Sequence, residues 1–363
     1  MLDLSRVLAG PLCGMMLGDL GADVIKVERP GTGDESRGWG PPFDPEGRSA
    51  YFLCWNRNKL SIALDFDAPG DRNVLDGLIA SADVVLENFL PGALASRGIH
   101  AGDLTLSHPD LIWCTISGFG PGSDRPGYDF VVQAESGWMS VTGEAEGEPM
   151  KTGMALADVL AGKDAVIAIL AALAARRGSG RKLAPAARRL HVSLAGSATA
   201  ALINVAQNVL VGGGEARRWG NAHANLVPYQ LFHAADRAFV IAVGNDSQWA
   251  AACGALGLDS LLRDPQLATN PGRLAQRERV VAAIAERVRT APAGHWLGAL
   301  SGSGVPCGIV RSVSEAVADV QADSRWGIAP QVQGAVRLAP PMLDEHGADI
   351  RRLGWGVFAD DRK

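Results

Sequence analysis

The feature that most constrains this chain is the order of segments in its first 120 residues, where helix-like and strand-like stretches alternate. Pro11 to Gly21 reads as a helix, with a proline near its start and a glycine after its end. Val24 to Glu28 reads as a strand closed by Pro30 and a glycine-rich loop. Ser61 to Leu64 is a short strand, Arg72 to Ala80 a helix, and Asp83 to Leu86 and Leu111 to Ile116 two more strands. A chain in this order buries its apolar residues as parallel βαβ units. Right-handed crossovers then place ligands beyond the carboxyl ends of the strands.

Beyond this stretch, Ala157 to Arg177 predicts a long helix with Val159, Leu160, Val166, Ile167, Leu170 and Leu173 on one apolar face. Gly178-Ser179-Gly180 ends it, and Arg176 to Arg189 holds six basic residues and no acid, the pattern of a solvated loop. Ser193 to Val211 reads as a second alanine-rich helix closed by Gly212-Gly213-Gly214. Gln230 to Asn245 alternates like a strand pair around Ala235-Asp236-Arg237, and amphipathic helices follow. The expectation is an α/β protein. Residues 1–215 and 318–363 would form a large Rossmann-like unit with a parallel sheet, and 216–317 a smaller α+β unit. The Pro- and Gly-rich stretch Ala329 to Lys363 would wrap back over the large unit.

Composition narrows the function. The chain is 47% apolar and 20% charged, too apolar for disorder. With 34 Lys and Arg against 39 Asp and Glu, its charge of −5 lacks the basic excess of a nucleic-acid or membrane-surface binder. The longest apolar run starts at Ala165 and stops short of Arg176, too short to span a bilayer. Asp3, Arg6 and Asp19 break up any signal-peptide core. Cys13, Cys54, Cys114, Cys253 and Cys307 are scattered, without a C-x-x-C, and suit small buried side chains in a reducing compartment. A cytoplasmic location is expected.

Familiar motifs are missing. No G-x-G-x-x-G follows the first strand, and in Gly118-Phe119-Gly120-Pro121-Gly122 the proline removes an amide that a phosphate cradle would use. There is no P-loop, H-E-x-x-H or G-x-S-x-G. No two of the seven histidines are spaced like metal ligands on one helix. One carboxylate stands out by position: Asp158, at the start of the long helix after Lys151-Thr152-Gly153-Met154-Ala155-Leu156-Ala157. On spacing alone it reads first as an ordinary N-terminal helix acid, the commonest use of such a residue.

Four stretches change that reading. They are Ala9-Gly10-Pro11 through Asp19-Leu20-Gly21-Ala22-Asp23-Val24-Ile25-Lys26-Val27-Glu28, then Asn56-Arg57-Asn58-Lys59-Leu60-Ser61, then Glu87-Asn88-Phe89-Leu90-Pro91-Gly92. The last is Gly127-Tyr128-Asp129, leading through Gln133-Ala134 and Thr142-Gly143 to Asp158. Together they resemble the class III coenzyme A transferases, the family that includes formyl-CoA transferase, carnitine-CoA transferases and α-methylacyl-CoA racemase. Asn221-Ala222-His223 to Pro228-Tyr229-Gln230 continues the resemblance, towards the branch that moves CoA between dicarboxylates.

The resemblance implies an interlocked homodimer, with CoA bound at the Rossmann-like unit as substrate and no prosthetic group. It implies an acyl-CoA:carboxylate CoA-transferase in which Asp158 is the nucleophile, passing through a mixed anhydride to an aspartyl-CoA thioester. Covalent catalysis divides one hard exchange into easier steps. An aspartate with a reference pKa of about 3.9 would be ionised at neutral pH without a general base. Ala9, Arg29, Leu64, Asn88 and Phe89 match CoA-contacting positions, with Arg97 a further candidate; Tyr128 and Asp129 match residues lining the acyl site. For the distal carboxylate of a diacid, the candidate cations are Arg57, Lys59 and Arg125.

Departures from the family's pattern are specific. Asp67 stands where a basic CoA partner is common, and Ser96 likewise, with Arg97 beside it. Leu8 replaces the side-chain amide of formyl-CoA transferase. The chain begins only two residues before Asp3, so a shortened first strand is expected, and Arg181 to Arg189 looks like an insertion. The racemase branch carries a histidine where this chain has Tyr128. A phenol with a pKa of about 10 shuttles a proton poorly at neutral pH, so transferase is favoured. Asp246, near a second acid of the racemases, keeps a racemase or epimerase as the alternative, beside a non-catalytic CoA-binding protein.

Overall fold

Six short strands organise the larger unit: β1 (Leu2–Asp3), β2 (Ile25–Glu28), β3 (Leu60–Ala63), β4 (Val84–Glu87), β5 (Ile112–Ser117) and β6 (Arg189–Ser193). The structure is a computed structural model that describes residues 1–178, 183–330 and 332–359. All six strands run parallel, in the order β3-β2-β1-β4-β5-β6. The chain moves outward from β1 through β2 and β3, then restarts on β1's other side with β4. That reversal opens a crevice between the β1 and β4 loops, where a doubly wound sheet binds its ligand.

Both faces of the sheet are covered, as parallel strands require. On β4, Val84 and Leu86 face one core while Val85 faces the other; on β5, Ile112, Cys114 and Ile116 oppose Trp113 in the same way. The first core is completed by Ala9, Cys13 and Leu17 of helix α1 (Ala9–Asp19) and by the long helix Leu156–Gly178. The second is completed by Leu75, Leu78 and Ile79 of the helix Pro69–Ala80 and by Ile350 and Phe358 of the C-terminal stretch.

The long helix differs from expectation in which face it buries. Its buried residues are Ala157, Ala161, Gly162, Ala165, Val166, Ile169 and Ala172, whereas Ile167 (66% exposed) and Leu170 (41%) point outward. The reason is the closeness of α1. A Cβ on Gly162 would stand 2.7 Å from the Ala9 carbonyl oxygen, so only small side chains fit the seam. The expected second helix is two, Leu194–Ala200 and Ile203–Gly212, bent by 68°. No single helix among the described residues is long and apolar enough to cross a membrane.

Residues 179–182 of the basic segment lie outside the described residues. The rest of it is not merely solvated: Arg188 is buried and donates to the carbonyls of Leu183, His108 and Leu111, ahead of β6. Of the five cysteines, Cys54 is exposed rather than buried.

Chain contacts divide the protein into two units, Met1–Met139 with Lys151–Glu215 and Val317–Lys363, and Ser140–Met150 with Ala216–Ala316. The sequence alone places residues 140–150 in the larger unit. They join the smaller one because the Arg218 guanidinium donates to the carbonyls of Ser140, Glu144 and Gly147, at 3.4, 3.1 and 2.7 Å. The smaller unit has an antiparallel sheet of β7 (Tyr229–His233), β8 (Ala238–Ala242) and β9 (Cys307–Ile309). Helices supply Trp249, Val280, Ile284, Trp296 and Leu300 to its own core.

Candidate active site

The crevice at the strand reversal is strapped together by backbone-directed side chains. The Asn88 amide, just after β4, accepts from the Arg6 N–H at 2.9 Å and donates to the Arg6 carbonyl at 2.8 Å. The β1 loop is held from the β2 side as well: Lys26 donates to the Ser5 carbonyl, and Asp34 accepts from the Val7 N–H. Val7 itself has a φ of 72°, a left-handed conformation rare for a β-branched residue.

Above these loops lies a cavity of about 230 Å3, lined by Val7, Leu8, Ala9, Asn88, Phe89, Tyr128 and Asp158 among others. Two glycines make room for its far wall. Gly118 and Gly127 pack backbone to backbone, a Cβ on Gly127 falling 2.1 Å from the Gly118 Cα. A second cavity of about 510 Å3 adjoins it, the two sharing Phe89, Leu90, Pro91 and Ser117.

Asp158 sits in the first turn of the long helix. Its carboxyl is pushed up to about 7, chiefly by burial and then by the nearby Asp129 carboxylate. At neutral pH it is therefore about half ionised rather than fully so, a correction to the expectation from the free amino acid. Asp129 sits behind it and is committed to structure. One oxygen accepts from the Ala157 N–H at 2.8 Å, the other from the Gln133 side-chain amide at 2.6 Å. Gln133, wholly buried, also accepts from the Thr152 N–H and donates to the Met154 carbonyl, so it fixes the approach to the helix.

The sequence-derived residues fall into two groups. Ala9, Asn88, Phe89, Tyr128 and Asp158 meet in the cleft. Arg29, Leu64 and Arg97 stand outside both cavity linings, Arg29 directly after β2, Leu64 directly after β3 and Arg97 in the segment that follows β4. Arg29 is exposed, with no side-chain partner among the described residues, and Leu64 is buried directly after β3. Arg97 meets Asp67 at 3.4 Å, so the acid at 67 and the arginine at 97 are one feature. Among the candidate cations, Arg57 and Lys59 are corrected: Arg57 pairs with buried Asp19 at 2.7 Å and Lys59 with buried Asp3 at 2.9 Å. Arg125 does line the cleft, stacked 4.2 Å from the Phe119 ring and paired with exposed Glu135. Asp246 lies in the smaller unit, with the buried Arg273 donating to it at 2.7 Å.

Sequence reasoning passed over an aromatic group beside this site. Tyr51 meets Trp39 and Trp55 edge-on, with centroids 5.1 and 4.7 Å away. Its hydroxyl is pushed up by burial and then by Asp158. Aromatic residues spaced Trp39, Tyr51, Trp55 in a Pro- and Gly-rich stretch were the available signal.

Gly162 is one helical turn past Asp158 and carries a direct test of this packing. Gly162→Ala is expected to push α1 off the long helix, costing about 1–3 kcal/mol in a denaturant titration and slowing turnover. Wild-type stability in that variant would mean that the Ala9 contact does not set the spacing of the two helices.

The larger unit is thus a doubly wound sheet with a half-buried carboxylate in its reversal crevice, an arrangement suited to chemistry at an acid side chain. Residues 1–348 match the model of CoA-transferase family III. Succinyl-CoA:glutarate CoA-transferase of Mus musculus is 42% identical over 88% of this chain and 73% of its own. Succinate–glutarate CoA-transferase of Agrobacterium fabrum is 41% identical, over 89% and 82%. A CAIB/BAIF family protein from Brucella suis has a crystal structure similar to this one, with a TM-score of 0.83 and 39% identity over 97% of both chains. The chain belongs to CoA-transferase family III.

Proposed function

We propose that the protein transfers CoA between dicarboxylates, with Asp158 as the covalent carrier. The observation that carries this reading is the Asp158 carboxyl, held at a helix start inside the crevice where the sheet reverses. The ionised carboxylate attacks the thioester carbonyl; the C–S bond breaks, giving a mixed anhydride and CoA thiolate. The thiolate attacks the Asp158 carbonyl carbon, releasing the donor acid and leaving an aspartyl-CoA thioester. The acceptor carboxylate then reverses both steps and regenerates Asp158. Ala9, Asn88 and Phe89 would wall the thioester end, and Arg29, Leu64 and Arg97 would take the nucleotide end of CoA. Tyr128 would border the acyl group, while Asp129 acts from behind by holding the helix.

A dicarboxylate fits because the lining holds two cations, Arg6 and Arg125. Arg125 is the better partner for a distal carboxylate. Its bond to Glu135 is exposed, and exposed pairs are worth about 0–1 kcal/mol, so a substrate can displace it. Relatives named for succinyl-CoA and glutarate support that choice of diacids. The outward Ile167 and Leu170, with Ile203, Leu210 and Val211 on the helix Ile203–Gly212, expose apolar surface that an interlocked second copy would cover. Free thiols suit a cytoplasmic enzyme. The test is to mix the protein with succinyl-CoA and glutarate. Glutaryl-CoA and succinate should appear one for one; free CoA alone would refute the transfer.

The raised carboxyl of Asp158 sets a pH dependence. Only the ionised form attacks, so kcat/KM should rise with pH through about 7 and level off above it. Asp129→Asn removes the neighbouring negative charge but keeps an oxygen for the Ala157 N–H. The midpoint of the acid limb should then fall by roughly 1 on the pH scale. A limb that stays in place would mean that another group titrates.

A further inference from the structure

The β1 loop carries a strained residue that nothing in the proposed chemistry uses. Val7 is held at a φ of 72° although its branched side chain disfavours that region. Such strain persists only where the surroundings over-determine it, and it concentrates at working sites. Here the surroundings are identifiable. Both Asp34 oxygens lie 3.2 Å from the Val7 N–H. Asp34 is itself immobilised by the buried Lys26 at 2.9 Å and by the Ser36 N–H and hydroxyl at 3.0 and 2.8 Å. Its own N–H is held by Glu28 at 3.0 Å, and Glu28 is clamped by Arg37 and Ser61. Next to Val7, Arg6 is tied at both its N–H and its carbonyl by Asn88. All this buried machinery converges on one short backbone segment, Val7 to Ala9, which forms a wall of the cavity that contains Asp158.

We propose that Asp34 is a positioning residue for CoA transfer: by holding Val7 left-handed it fixes the Val7–Ala9 wall against which the acyl-CoA is presented to Asp158. The inference rests on the transferase reading and deepens it. Ordinary loop anchoring does not require strain, since a glycine at position 7 would adopt the same backbone freely. A valine held there by a buried carboxylate gives a segment with one conformation and little freedom to relax, which suits a wall that must match a thioester closely.

Two variants test this. Val7→Gly removes the strain and the branched side chain while leaving Asp34, Lys26 and Glu28 untouched. Its melting midpoint should equal or exceed that of wild type, yet kcat should fall about ten- to a hundredfold. Asp34→Asn keeps an acceptor for the Val7 N–H but removes the carboxylate paired directly with buried Lys26, leaving only Asp3 and Glu28 to offset it, so it will lose stability. Its turnover is therefore counted per folded protein, by circular dichroism, and should fall by a similar factor with little change in the KM for the acceptor acid. Full kcat in Val7→Gly, or in folded Asp34→Asn, would overturn the proposal and reduce Asp34 to a structural anchor. If wild type itself transfers no CoA, it is the transferase reading that fails. Acyl-CoA dissociation constants for the two variants, measured by calorimetry, then decide whether the wall is set by Asp34: weakening of about tenfold supports it, and unchanged binding rejects it.

Discussion

Asp158→Ala is expected to lose at least about a thousandfold in kcat, because the covalent route has no substitute carboxylate at that point. Intact mass after mixing with succinyl-CoA reads the cause. Wild type should carry a CoA-sized adduct that hydroxylamine removes, and Asp158→Ala should carry none. Asp158→Asn should also be more stable than wild type above pH 7. The folded carboxyl titrates at about 7, well above its ordinary range, so the folded state holds this proton more tightly than the unfolded chain. Stability is therefore present at low pH and declines as pH rises towards 7, with the whole cost in place beyond it. Every tenfold difference in proton affinity between the folded and unfolded chain is worth about 1.4 kcal/mol, so the cost is on the order of 3–4 kcal/mol at pH 8. An amide avoids it, and the melting midpoint should climb by several degrees. A variant that keeps its turnover, or melts lower at pH 8, would remove Asp158 from the reaction or its carboxyl from the buried site.

Lys59→Ala is expected to cost about 3–5 kcal/mol, the largest loss of stability from one side chain here. The Lys59 ammonium is fully buried and donates to Asp3 at 2.9 Å, to the Pro11 carbonyl at 2.8 Å and to Asn56 at 2.9 Å. It joins β1, α1 and the start of β3. Its removal leaves the Asp3 carboxylate, held well ionised by Lys59 and Lys26, buried with one cation fewer. Urea unfolding followed by tryptophan fluorescence reads the loss. Changing both partners, in Asp3→Asn with Lys59→Met, should recover part of it, because no net charge then stays buried unpaired. A single variant as stable as wild type would show that the pair contributes only packing.

The same lysine shows what could be read from the chain and what could not. Asn56-Arg57-Asn58-Lys59 is conspicuous in the sequence, and its cations suggest a diacid partner because charge is visible there while burial is not. In the fold Arg57 and Lys59 face inward acids, Asp19 and Asp3, that are 38 and 56 residues away in sequence. Long-range pairing of that kind leaves no periodicity. Asp129 behaves likewise: its type and place beside the site are legible, but its commitment to the Ala157 N–H depends on where two helices meet. Apolar periodicity locates the long helix but misjudges its face, because alanine and glycine carry little hydrophobic signal and yet set how closely α1 can approach.

What the sequence by itself determined is the alternation of strand and helix, and from it the parallel sheet and the strand ends beyond which the site lies. Those follow from local periodicity and turn residues, which act over a few neighbours. The strand order and its reversal came with the fold. The family resemblance lay in short motifs, and Asp158 was among them. Only the tertiary structure decided which charges are free and which are spent, why the Asp158 carboxyl titrates at about 7, and why Val7 is strained. Each of these depends on desolvation and on partners brought together by packing, quantities that exist only once distant segments share one interior.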